Sequence, residues 1–153
     1  MGAFLMNSFS AANRAVIATF VFLCISADAH AKTVSLHAVL KPVGRQVSRE
    51  ELRGSGIVTA TVETDSGLFK YQVNFEHLAN PATAADFHGP ATPGRDAKVQ
   101  IRIMVPTIVT PLGGTALLHP DQVRDLVEGR WYFDIHTTRN PEGELRGQLV
   151  PGR

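Results

Sequence analysis

Trp131-Tyr132-Phe133-Asp134-Ile135-His136-Thr137-Thr138-Arg139-Asn140-Pro141-Glu142-Gly143-Glu144-Leu145-Arg146-Gly147-Gln148-Leu149 reads as a strand, a tight turn and a returning strand. Trp131, Phe133 and Ile135 alternate with Tyr132, Asp134 and His136. Leu145, Gly147 and Leu149 alternate with Arg146 and Gln148. A period of two sends successive side chains to opposite faces of a strand, so each segment predicts one apolar and one polar face. Between them, Asn140-Pro141-Glu142-Gly143 has turn chemistry: proline sets φ at the second position and glycine accepts positive φ.

The same period runs outward through the chain. Val58, Ala60 and Val62 alternate with Thr59, Thr61 and Glu63, and Asp65-Ser66-Gly67 then turns the chain. On the return, Phe69, Tyr71, Val73 and Phe75 share one face, and Lys70, Gln72 and Asn74 the other. Val99, Ile101, Ile103 and Val105 alternate with Lys98, Gln100, Arg102 and Met104 until Pro106, which lacks the ladder N–H. Residues 34–40 predict a further strand, and residues 80–98, rich in Ala, Pro and Gly, a long irregular region. One short helix interrupts the strands. Pro120 suits its first position and Asp121 and Gln122 its first turn; Val123, Leu126 and Val127 form an apolar stripe, and Gly129 ends it. The expected fold is all-β: a Greek-key antiparallel β-sandwich or small barrel with one short helix.

At the front of the chain the composition changes. Arg14 precedes an apolar run over residues 15–25, shorter than the roughly 20 residues that span a bilayer as a helix. Ala29-His30-Ala31 then offers small residues for signal peptidase. The expectation is a signal peptide over 1–31, cleaved after Ala31, and one domain over 32–153, periplasmic or secreted, with no membrane span after cleavage. Cys24 is the only cysteine and leaves with the signal. Leu23 stands before it, where a lipobox wants a small residue. The domain therefore lacks disulfides, a Cys nucleophile and thiolate ligands. Fifteen Lys and Arg against fourteen Asp and Glu, without a basic stripe, exclude an obvious nucleic-acid surface.

The opening stretch resembles the closing signature of the CHRD (chordin-type) domain family. In that family an aromatic strand ends in His-Thr and the returning strand carries Gly-Glu-x-Arg-Gly. Here the matching residues are Trp131, Asp134, Thr137, Gly143, Glu144, Arg146 and Gly147, expected to be structural. Three further segments resemble the family: residues 68–78, the short helix from Leu118 to Gly129, and Ala85-Asp86-Phe87-His88-Gly89-Pro90-Ala91. Asp86 stands where the family has the first His of a His-x-His pair. The resemblance implies an exported binding or structural module, and the expected partner is an extracytoplasmic protein or glycan.

The five histidines after the signal are His37, His77, His88, His119 and His136. His37 and His77 read as surface or edge residues. Asp86 and His88, two apart, leave the same face of an extended segment, and His136 sits beside Asp134 on the polar face of its strand. If the segments meet, Asp86, His88 and His136 form a carboxylate-plus-two-imidazole set suited to a divalent metal such as zinc or copper, and the alternative function is a periplasmic metal-binding protein or metalloenzyme using them. The other reading is structural: His136 pins the strand-to-turn junction and His88 orders the Gly89-Pro90 turn. Arg146 is expected to reach Asp134 across the strands, and Glu142 and Glu144 to be solvated beside Gly143. With no nucleophile elbow, P-loop or His-Glu-x-x-His helix, catalysis is not the expectation.

Overall fold

The computed structural model describes residues 32–43 and 53–152. The expected signal peptide lies outside the described residues. Among the described residues, nine strands form one antiparallel, nearly closed, barrel-like sheet with a single short helix. In chain order the elements are β1 (Thr33–Pro42), β2 (Ser55–Glu63), β3 (Leu68–Glu76), β4 (Ala82–His88), β5 (Val99–Arg102), β6 (Leu112–Leu117), α1 (Pro120–Val127), β7 (Tyr132–Thr137), β8 (Leu145–Gln148) and β9 (Val150–Pro151). The strand order is β5-β4-β7-β8-β1-β2-β3-β6, with β9 on β1.

β1 joins the two halves. It pairs with β2 from Thr33 to Leu40, and then Lys41 and Pro42 pair with Arg146 and Leu145 of β8. The β2–β3 hairpin follows the sequence pattern, with Val58 opposite Val73 and Val62 opposite Phe69. Gly67 turns it at φ 72°. The core lies between the halves. Leu36, Leu40, Val58, Val62, Phe69 and Val73 meet Ala85, Phe87, Phe133, Ile135 and Leu145, all buried. Burying each large side chain contributes roughly 1.5–3 kcal/mol. Phe87 is the aromatic hinge of this core, edge-on to Phe69 at 5.3 Å and tilted on Phe133 at 4.7 Å.

The helix starts at Pro120, where the missing N–H removes no intrahelical bond. Gln122 accepts a hydrogen bond from the His119 N–H at 2.9 Å, satisfying the chain just before the first turn. Val123 and Leu126 are buried, and Gly129 leaves the helix at φ 71°.

Three expectations change. The irregular region assigned to residues 80–98 contains β4, a central strand between β5 and β7. Its alanines have little intrinsic strand preference, but Ala85 and Phe87 face the core and Asp86 and His88 are also buried; packing on both faces outweighs propensity. The Val99–Val105 alternation yields only a four-residue strand, because after Ile103 the chain departs along an irregular connector to β6. β6 itself was not expected, since Gly113 and Gly114 weaken any strand pattern. A Cβ at Gly114 would stand 2.5 Å from the Tyr71 hydroxyl oxygen, so any larger residue there makes that ring move.

Gly147 carries the tightest constraint in the signature. A Cβ there would lie 2.7 Å from the Val39 carbonyl oxygen and 2.8 Å from Leu40 Cδ2, so only glycine lets β8 lie close against β1. Gly147→Ala is expected to destabilise the domain by about 1–3 kcal/mol. Urea unfolding followed by circular dichroism checks this, and an unchanged midpoint would show that the strands can separate freely.

Candidate functional site

The register of four neighbouring strands builds the site. Asp86 of β4 lies opposite Arg102 of β5 on one side and Asp134 of β7 on the other. Asp134 in turn lies opposite Arg146 of β8. Directly opposed residues share a face, so Arg102, Asp86, Asp134 and Arg146 form one row across the sheet, on the face turned away from the Phe87–Phe133 core. His88 and Tyr132 form the next row on that face, and Ala84 and His136 the row on the other side.

Two carboxylates facing each other across adjacent strands repel, and each is answered from its outer neighbour. Arg146 holds Asp134 with two bonds of 2.8 Å, from Nε to Oδ1 and Nη2 to Oδ2. Arg102 Nε donates to Asp86 Oδ1 at 3.1 Å. Asp86 and Asp134 are both buried. Burial pushes the Asp134 carboxyl above the ordinary carboxylate value, and the Arg146 guanidinium works against that push. Burial also weighs against the Arg146 charge, but the bonds to Asp134 and Asp96 outweigh it and hold the guanidinium firmly protonated.

The row faces outward yet is closed over by two loops, the β4–β5 connection and the β7–β8 turn. Each loop fixes one histidine. His88 Nδ1 is 3.0 Å from the Ala97 carbonyl oxygen, and His136 Nδ1 is 2.9 Å from the Pro141 carbonyl oxygen. A carbonyl can only accept, so each ring carries its proton on Nδ1, and in the neutral imidazole Nε2 is a bare lone pair. Both Nε2 atoms are buried without a hydrogen-bond partner. His136 Nε2 lies 3.6 Å from Asp86 Oδ2, too far for a hydrogen bond. One donor atom from each of Asp86, His88 and His136 falls within 4.8 Å of the others. Tyr132 supports the cluster: its ring stacks on His88 at 4.8 Å and 3°, and Arg146 lies over the same ring at 4.4 Å. The Ala97 N–H, donating to the Tyr132 oxygen at 3.0 Å, ties the covering loop to the same support.

The signature residues named from sequence hold this frame. Trp131 is fully buried, and a Cβ at Gly89 would meet its ring at 2.5 Å. Glu144 was expected to be solvated and is instead fully buried. Its carboxylate accepts from the Ala79 N–H at 2.7 Å and the Thr137 hydroxyl at 2.8 Å, so it ties the segment after β3 to the end of β7 rather than facing water. Gly143 turns the chain at φ 116° into that clamp, and its N–H closes the turn on the Asn140 carbonyl at 3.1 Å. His37 and His77 are exposed, as the sequence suggested, while His119 precedes the helix. Sequence reasoning placed no role on Arg102, Tyr132 or the carbonyls of Ala97 and Pro141. Arg102 stood on the polar side of its alternation, but only strand pairing discloses that it meets Asp86.

Arg146→Ala is expected to cost about 3–5 kcal/mol, because it leaves the Asp134 carboxylate buried and unanswered. Thermal or denaturant unfolding measures this. A loss of only a few tenths of a kcal/mol would mean that the pair behaves as an exposed one.

Among the described residues, no helix is long and apolar enough to cross a membrane. Neither curated proteins nor solved structures offer a match to the chain. Among known families, the CHRD domain matches residues 36–149. That span takes in both sheet halves, the helix and every residue of the polar row, and the chain belongs to the CHRD domain family.

Proposed function

We propose that this CHRD domain is an exported binding module whose ligand site is the Asp86–His88–His136 cluster, and that the cluster takes a zinc or copper ion. The observation that carries the reading is that one donor atom from each of the three residues falls within 4.8 Å of the others, while both Nε2 atoms are buried without a hydrogen-bond partner. Three acceptors facing one another repel unless a cation lies between them. Fixing the tautomer through Nδ1–H to a carbonyl is also how proteins orient metal-binding imidazoles. Asp86, replacing the family's histidine, still supplies a donor there.

Charge supports a cation. Asp86, Asp96, Asp134 and Glu142 line the two cavities around the cluster, against Arg102 and Arg146 alone among the described residues. Two imidazoles and one carboxylate suit zinc or copper. The solvent-closed Nε2 atoms suit holding an ion better than turning over a substrate.

The protein purified from a periplasmic fraction without chelators is expected to carry about one ion per chain, lost in both His88→Ala and His136→Ala. Elemental analysis reads this directly. Wild-type protein without metal, with both variants less stable to heat, would make the histidines structural pins and turn the search to a protein or glycan partner. Export rests on the residue 1–31 pattern. The intact mass of the periplasmic protein is expected to correspond to a chain starting at Lys32, and retention of residues 1–31 would overturn that part.

A further inference from the structure

A cavity of about 710 Å³ leads to the cluster from one side. Buried Asp86 and half-buried His136 line it together with Ile103, Met104, Val105, Pro106 and Ile108 of the β5–β6 connector. Ile103 and Ile108 are buried and pin that connector to the core. Met104, between them, is 83% exposed. It is the most exposed of the large apolar side chains among the described residues, ahead of Leu117 at 76%. Among the described residues Met104 is also the one thioether, and there is no thiol. The second cavity, of about 770 Å³, reaches His88 and His136 past Tyr132 and Arg146 and has no sulfur in its wall.

Thioether sulfur is a soft, weakly basic donor. It binds cuprous ion and has little affinity for zinc. Imidazole nitrogen serves both metals, so the inner cluster by itself does not choose between them. Soft sulfur at the mouth and imidazole within form a route that favours copper at its first step. We infer that the ion held by this site is copper, and that Met104 is the entry ligand that captures cuprous ion and passes it inwards to His136 and Asp86. No electron transfer is needed: the ion exchanges donors without changing oxidation state. The inference rests on the metal reading of the cluster and adds the identity of the ion and its path.

The test is anaerobic transfer of Cu(I) from its bathocuproine disulfonate complex to wild type, Met104→Leu and His88→Ala, alongside Zn(II) uptake against a chromophoric chelator. Leucine keeps the volume of Met104 and removes the sulfur. The expected result is Cu(I) transfer slowed roughly tenfold or more in Met104→Leu, on the scale by which supporting groups alter metal sites, with Zn(II) uptake unchanged. A purely structural Met104 would leave both rates alike. Equal Cu(I) rates in wild type and Met104→Leu overturn the entry role. Wild type that holds Zn(II) and refuses Cu(I) overturns the choice of copper while leaving the metal site standing. Uptake of neither ion, or uptake unaffected by His88→Ala, brings down the metal reading itself.

Discussion

Asp86 and Asp134 face each other on adjacent strands, out of water, and the arrangement around them follows from that repulsion. Neither carboxylate keeps its charge at low cost unless a cation meets it. The sheet supplies Arg102 from β5 and Arg146 from β8, so strand position rather than sequence distance flanks the two carboxylates with cations. Arg146 is the stronger partner because its planar fork matches both Asp134 oxygens. Asp86 receives a single bond from the more exposed Arg102, which leaves Oδ2 turned towards His136. The difference between one bond and two is what leaves a donor atom for the cluster.

The family signature is mostly a set of devices that keep this face closed and in register. Glu144 ties the segment after β3 to the end of β7 through the Ala79 N–H and the Thr137 hydroxyl. Gln148 Nε2 donates to the carbonyls of Ala91 and Gly129, holding the chain after β4 and the end of the helix region against β8. Gly147 permits the contact with β1 that unites the two halves. Each job involves a buried polar group or a close backbone approach, where a substitution leaves a donor unpaired or a clash unrelieved. The two histidines hang from this frame through the loop carbonyls of Ala97 and Pro141, so closing the loops and orienting the rings are one event.

Much of the fold was legible in alternation. The β2–β3 hairpin, the helix with Pro120 and Gly129 at its ends, and the β7–β8 hairpin all follow local rules of period, turn and cap. β4 and β6 escaped because alanine and glycine carry weak strand signals, and their pairing is enforced by neighbours far away in the chain. The candidate site was half legible. The two-residue spacing of Asp86 and His88 set them on one face, but nothing local told that β4 lies beside β7. Glu144 misled for a related reason: a carboxylate in a turn is usually solvated, and only its two distant donors make burial tolerable.

Sequence by itself determined the all-β class, the family, the faces of the strands and the residue types able to hold an ion. These are properties of short windows, since side-chain direction and turn chemistry act over a few residues. Tertiary structure decided which faces meet. Strand order brought Asp86, His88 and His136 within 4.8 Å of one another, and loop carbonyls chose the ring tautomers. It also set Met104 in the wall of a cavity that two of those residues line. Pairing between distant strands is fixed by the packing of the whole core, so no local stretch of the chain could have stated it.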